Sequence, residues 1–258
     1  MKKHYFSILM IVVVIMGMNL LLQAQDNTTV PQVIIANGGR FESNPPYYDY
    51  VTVGSYNTST HTYMLFDTIY TQSVQDILIT DHFAYVAAQD SIVKYDLDTY
   101  QRVAIVADSG LEKLGIYGDK LIVTKGYPVK RFFAEVRDAG DLALYSFIDN
   151  ISGDCGGILA TSDSVYMAVN GGYQGSEGKL AVIDPVSWTV THEINFGQDA
   201  VGIWNLFGYN GYIYSINVTP GGSAQVGSIT KCSQNNETFT NNILGVTVGD
   251  GVGIQGHL

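Results

Sequence analysis

A phrase of five residues recurs along this chain and limits what it can fold into. It reads Glu112-Lys-Leu-Gly115-Ile116, Asp154-Cys-Gly-Gly157-Ile158, Asp199-Ala-Val-Gly202-Ile203 and Asp250-Gly-Val-Gly253-Ile254: an acid, two residues, then Gly-Ile. Ser73-Val-Gln-Asp76-Ile77 is a degenerate fifth copy, and successive copies start 39, 42, 45 and 51 residues apart. A period of roughly 40–50 residues marks an array of stacked supersecondary units. Between copies the chain alternates short runs rich in Val, Ile, Tyr and Ala with Asp, Asn, Ser and Gly turns, the pattern of strands joined by hairpins. In the third full unit the runs are Ile158–Ala160, Val165–Ala168, Leu180–Ile183 and Thr189–Ile194, with turns at Ser162-Asp163 and Asp184-Pro185. Four short antiparallel strands per unit make a propeller blade. The expected fold class is therefore all-β, a β-propeller of four-stranded antiparallel blades with about five repeats visible.

The units Val165-Tyr166-Met167-Ala168-Val169-Asn170, Leu180-Ala-Val-Ile183-Asp184-Pro185, Ala84-Tyr85-Val86-Ala87 and Val93-Lys-Tyr95-Asp96 resemble the YVTN-type β-propeller repeat. The resemblance covers nearly all of the chain after its first residues. It departs in one respect, since the proline that often precedes x-Gly-Ile in that family is missing from every copy. It implies kinship with quinoprotein-dehydrogenase-like and surface-layer-type propellers, among which six or seven blades are common. Val33–Asn37 reads as a second strand with no phrase before it, and Asp250–Leu258 reads as a first strand only. The two pieces either complete one blade and close a five-bladed ring, or belong to an incomplete six- or seven-bladed propeller.

Residues 1–24 read as a signal peptide: Lys2 and Lys3, an apolar run from Tyr5 to Leu22, then Leu22-Gln-Ala24 as a cleavage site. Residues 25–258 are then the propeller domain of an exported protein, periplasmic, cell-surface or extracellular, without a membrane segment after cleavage. Export permits a disulfide, but Cys155 and Cys232 fall at non-equivalent places in their units and are expected apart, as buried thiols. The net charge of −11 excludes a nucleic-acid partner, which needs clustered Lys and Arg. Five of the 13 basic residues lie between Lys120 and Arg137, a stretch expected to be a solvated loop.

If the five phrases are equivalent, Asp76 or Ser73, Glu112, Asp154, Asp199 and Asp250 converge where each blade's first strand begins. Such carboxylates either hold a hard cation such as Ca²⁺ or cap the backbone of their own turns. Long second-to-third-strand loops are expected on the same face, at 38–49, 125–131, 171–178 and 219–227. Loops over a rigid scaffold are where binding concentrates, so Arg40, Tyr47, Tyr48, Tyr127, Tyr173 and Trp204 are candidate ligand contacts. The chain has no Cys-x-x-Cys-His, Gly-x-Ser-x-Gly or His-Glu-x-x-His motif. These features lead to a non-enzymatic, monomeric propeller that binds a protein or glycan at the cell surface through its loop-rich face, without a cofactor. The alternative is a lactonase- or lyase-like enzyme using a divalent cation held by the acids.

Overall fold

The structure, a computed structural model, describes residues 32–38, 50–129, 131–171, 175–217 and 227–243. Residues 1–24, read as a signal peptide, and the phrase at Asp250 with the rest of 244–258, whose pairing with the first sheet would close a ring, lie outside the described residues. The described residues contain nineteen strands and no α-helix. β1 (Gln32–Asn37), β2 (Val51–Asn57) and β3 (Thr62–Ile69) form a three-stranded first sheet. The second sheet runs β4 (Val74–Ile79), β5 (Phe83–Ala88), β6 (Ser91–Asp96), β7 (Arg102–Ala107). The third runs β8 (Leu111–Tyr117), β9 (Lys120–Lys125), β10 (Ala134–Asp138), β11 (Leu144–Phe147). The fourth runs β12 (Cys155–Ala160), β13 (Val165–Val169), β14 (Gly178–Asp184), β15 (Thr189–Gly197). The fifth runs β16 (Ile203–Tyr209), β17 (Tyr212–Asn217), β18 (Ser228–Ser233), β19 (Phe239–Thr240). Every sheet is a meander in chain order, and all paired strands are antiparallel.

The chain separates into two compact units. The described part of one is Gln32, Val33 and Ser55–Met64; the other holds the rest. In the smaller unit the Asn57 side chain accepts from the N–H groups of Ser59 and Thr60 (2.9 Å each), and Tyr56 Oη lies 3.0 Å from His61 Nδ1. In the larger unit first strands of successive sheets lie side by side: β4 with β8, β8 with β12, β12 with β16.

Alternation along each middle strand explains why it reads as an unbroken apolar run. In β5, Ala84 and Val86 pack toward the first sheet with Val51, Val53 and Ile69, while Tyr85 and Ala87 pack toward the third with Leu114, Leu121 and Val123. Val165, Met167 and Ile183 face the third sheet, and Tyr166, Ala168 and Leu180 face the fifth. A strand covered on both faces has no solvent side to polarise. Burying such side chains stabilises by roughly 25 cal/mol per Å² of apolar surface. Fourth strands have one covered face, and β7 alternates, with Val103 and Ile105 exposed.

Third-to-fourth-strand turns share one construction. In the first four sheets an Asp or Asn opens the turn and its carboxylate or amide oxygen accepts backbone N–H groups, at Asn57, Asp96, Asp138 and Asp184, while Ser233 opens the fifth. The fifth residue is left-handed: His61 (φ 54), Tyr100 (φ 59), Leu142 (φ 66), Trp188 (φ 55) and, in the fifth sheet, Glu237 (φ 56). In the larger unit that residue leans on the preceding sheet. Tyr100 meets Phe66 (5.0 Å between rings), Leu142 joins the second sheet's cluster, Trp188 meets Tyr117 (6.0 Å) and Glu237 meets His192 (2.7 Å).

Cys155 and Cys232 are buried, free, and in different clusters, as expected. The solvated basic loop is a correction. Lys125 and Arg137 are buried, because their charges are matched inside the fold by Asp108 and Glu135. No helix among the described residues is long and apolar enough to cross a membrane.

Candidate binding site

Each first strand enters its sheet through a β-bulge, at Val74/Asp76, Leu111/Leu114, Cys155/Ile158 and Ile203/Asn205. A bulge re-aims side chains where pairing begins. Each first strand then ends in a two-residue turn closed by the pairs Thr80–Phe83, Tyr117–Lys120, Thr161–Ser164 and Tyr209–Tyr212. This fixed turn gives the true alignment of the blades and corrects the sequence phrase. Asp76 precedes Thr80 by four residues, Glu112 precedes Tyr117 by five, Asp154 precedes Thr161 by seven, and Asp199 precedes Tyr209 by ten. The acids are therefore at different depths and do not form one ring of equivalent positions.

Their surroundings differ accordingly. Asp76 reaches the neighbouring first strand, accepting from the Leu114 N–H (2.9 Å) and pairing with Lys113 Nζ (3.4 Å). Asp199 is exposed in a one-turn 3-10 helix, Gln198–Ala200, whose Ala200 is buried. Among the described residues no three Asp, Glu, His or Cys side chains come together in a way that could hold a metal ion. Glu112 and Asp154 are the two acids that share a neighbourhood. Burial pushes the Glu112 carboxyl up to about 7; Lys113 pulls it down and Asp154 pushes it further up. Burial also raises Asp154, against the backbone N–H of Tyr127, which donates to it.

That hydrogen bond joins the acids to one of the candidate contacts. Tyr127 caps the β9–β10 loop and is 85% exposed. The loop is tightly mounted: Gly126 N–H donates to Gly110 O (2.8 Å), Val129 N–H to Gly126 O (2.9 Å), and Lys125 N–H to Phe133 O (2.8 Å). A Cβ on Gly126 would lie 2.6 Å from Glu112 Oε1, so a larger residue there would push the Glu112 side chain aside. Beyond the tip, Phe132 stacks on Phe147 (4.3 Å, 15°) and Arg131 covers Phe132 (4.6 Å).

Beneath the loop is a group that sequence reading missed: Asp108, Lys125, Glu135 and Arg137, all buried. Lys125 pairs with Asp108 and with Glu135 (3.0 Å); Arg137 pairs with Glu135 and with Asp108 (3.0 Å), and donates to Leu142 O (2.9 Å). Two cations and two carboxylates alternate, so the group is neutral. Burial and the neighbouring Asp108 raise Glu135, while the hydrogen bonds of Glu135 and Lys125 hold Asp108 low against burial. The signal available in sequence was the sign alternation Glu135-Val-Arg137 on a strand, which places both on one face.

Trp204 is 41% exposed in the β16 bulge, and its carbonyl would lie 3.0 Å from a Cβ on Gly156. It thus sits over the strand that follows Asp154. Arg40, Tyr47, Tyr48, Tyr173 and Asp250 lie outside the described residues.

The titration of Glu112 has a direct consequence. Its folded pKa lies above the ordinary carboxylate value, so the folded state holds its proton longer than the unfolded chain. The acid has no effect below about pH 4, destabilises increasingly as pH rises, and does so fully above about pH 7. Glu112→Gln is expected to raise the melting temperature at about pH 8 and to leave it unchanged at about pH 4. An equal rise at both, measured by circular dichroism, would show that the carboxyl is solvated.

Sheets of four antiparallel strands in chain order, with first strands side by side, define this protein as a β-propeller. No family model and no curated protein sequence matches the chain. Solved structures do. Hydrazine synthase of Kuenenia stuttgartiensis superposes with a TM-score of 0.60 at 14% identity, over 74% of this chain and 61% of that one. The Dos1 propeller gives 0.56 at 13%, over 81% and 58%. Dihydro-heme d1 dehydrogenase NirN in complex with DHE gives 0.54 at 11%, over 74% and 43%. The chain thus spans about half of each of these proteins, and the likeness is one of fold.

Proposed function

We propose that this chain is an exported, non-enzymatic propeller, a divergent relative of the YVTN-type repeats, that binds a protein or glycan through the face bearing Tyr127 and Trp204. No cofactor enters this reading. The observation that carries it is the contrast at the β9–β10 loop, whose tip exposes an aromatic ring while its base is fixed. Asp154 takes the Tyr127 N–H, Glu112 lies on Gly126, and Lys125 is locked among buried charges. A rigidly mounted aromatic loses little conformational entropy on binding, and Tyr and Trp dominate binding energy at interfaces. A leader with Lys2, Lys3 and a long apolar run supports export.

The test is the wild-type chain against insoluble polysaccharides and against purified envelope proteins, with Tyr127→Ala and Trp204→Ala alongside. Each variant is expected to weaken binding by roughly tenfold or more with its melting temperature unchanged. A ligand bound equally well by both variants would place the binding face elsewhere.

A further inference from the structure

The β9–β10 loop that presents Tyr127 is seated on a side chain that can change its charge. Glu112 falls inside the β8 bulge, between the paired residues Leu111 and Leu114. Gly126 lies directly over it: a Cβ there would come within 3.1 Å of Glu112 Cγ and 3.2 Å of Cδ, as well as close to Oε1. The loop also lies close on the segment before β8. A Cβ on Gly110 would lie 2.5 Å from Val129 Cγ2 and 2.9 Å from Gly126 O. The Glu112 carboxyl is therefore part of the floor on which Gly126 and Tyr127 rest.

Little around that floor compensates a negative charge. Among the described residues the charged groups that act on Glu112 are Lys113, beside it on β8, and Asp154, which precedes β12. Lys113 Nζ is turned to Asp76 on the preceding sheet (3.4 Å). Lys125 and Arg137, the cations at the loop's base, are taken up by Asp108 and Glu135. Cys155, next to Asp154, is a thiol that burial holds protonated. The Asp154 backbone is pinned, because its carbonyl accepts from the Asn170 N–H (3.0 Å) and the Gly171 N–H (3.3 Å). When Glu112 ionises, the parts free to give are its own side chain and the loop above it. Gly126 then loses the surface on which it rests, whether the carboxyl swings out or water comes in.

We propose that Glu112 is a proton-operated catch for the β9–β10 loop: protonated, it seats Gly126 and fixes Tyr127; ionised, it lets the loop come loose. The inference rests on the reading of Tyr127 as a ligand contact and adds the regulation of that contact. The sign follows from linkage. The closed loop holds the Glu112 proton longer than the open loop, in which the carboxyl is solvated, so opening gains as pH rises. The gain runs from the ordinary carboxylate range up to about pH 7 and is complete above it. The face is thus firm in acid and slack in alkali. A ligand that needs Tyr127 held in place binds more tightly at the lower pH, because less ordering is left to do on binding.

The experiment is amide hydrogen exchange on the purified chain without ligand, read as protection relative to the unstructured rate at each pH. Between about pH 5 and about pH 8 the protection of the Tyr127 N–H is expected to fall by roughly tenfold to a hundredfold. That of Val123, buried in β9, is expected to fall far less. In Glu112→Gln the Tyr127 protection is expected to be equal at both. Asp154→Asn keeps an acceptor for the Tyr127 N–H and removes the charge that pushes Glu112 up, so it is expected to move the fall to lower pH. Equal protection at both pH values in wild type would mean that the carboxyl turns to water without moving the loop, and would overturn the proposal. So would a fall that survives in Glu112→Gln, or one that Val123 shares in full. The binding face is tested apart from this. A loop that responds to pH, in a chain whose ligand is indifferent to Tyr127→Ala, upholds the catch and removes only the contact.

Discussion

Replacing Lys125 by Met is expected to destabilise the protein by about 3–5 kcal/mol, the cost of stranding a buried charge. Lys125 is the partner of both Asp108 and Glu135, and all three side chains are almost wholly removed from water. Without it, Arg137 alone faces two carboxylates and the group carries a net negative charge in the interior. Glu135, whose carboxyl is already raised by burial, is then expected to hold a proton near neutrality. The double variant Lys125→Met/Glu135→Leu removes one charge of each sign and leaves Arg137 with Asp108 (3.0 Å). It is expected to recover most of the loss, because a well-packed apolar pair replaces a buried ion pair at little net cost. Urea unfolding at neutral pH measures both. A single-variant loss below about 1 kcal/mol, the range of exposed ion pairs, would mean that water reaches the group. The same variant probes the binding face, since Lys125 anchors the loop that presents Tyr127.

Gly178→Ala is expected to cost about 3 kcal/mol or more, at the high end for overpacking. A Cβ at Gly178 would lie 1.7 Å from Ala200 O and 2.5 Å from Ala200 C, both backbone atoms of the 3-10 turn Gln198–Ala200. No side-chain rotation relieves that overlap, so the turn must move. The Asp199 carbonyl would move with it, away from Ser228 Oγ (2.5 Å) in the fifth sheet. Gly211→Ala is the control. Gly211 has φ 76 with open space around it, so its cost is backbone strain alone, about 1–2 kcal/mol. Thermal unfolding ranks the two, and a Gly178→Ala protein as stable as Gly211→Ala would refute the close approach.

The two losses would reach function by different routes. Lys125→Met loosens the support under Tyr127, whereas Gly178→Ala shifts the junction of the fourth and fifth sheets, close to Trp204. Binding measured beside stability in both variants would separate the contributions of the two aromatics.

The sequence by itself determined the strands, the number of visible units and the hairpin turns. These rest on local rules: alternation and continuous apolar runs set strands such as Phe83–Ala88 and Val165–Val169, and Asn57, Asp96, Asp138 and Asp184 open the corresponding turns of the first four sheets because their side chains cap those turns' own N–H groups. It also put Tyr127 on an exposed loop, correctly. Only the tertiary structure decided the alignment of the acids. The recurring acid-x-x-Gly-Ile phrase looks equivalent along the chain, but bulges of different extent let it slide against the turns, so Asp76, Glu112, Asp154 and Asp199 meet different neighbours. Only the tertiary structure, likewise, brought Asp108 against Lys125, Glu135 and Arg137. Charges are buried when opposite charges arrive from other strands, and no property of a basic stretch read in isolation reveals whether a partner will arrive.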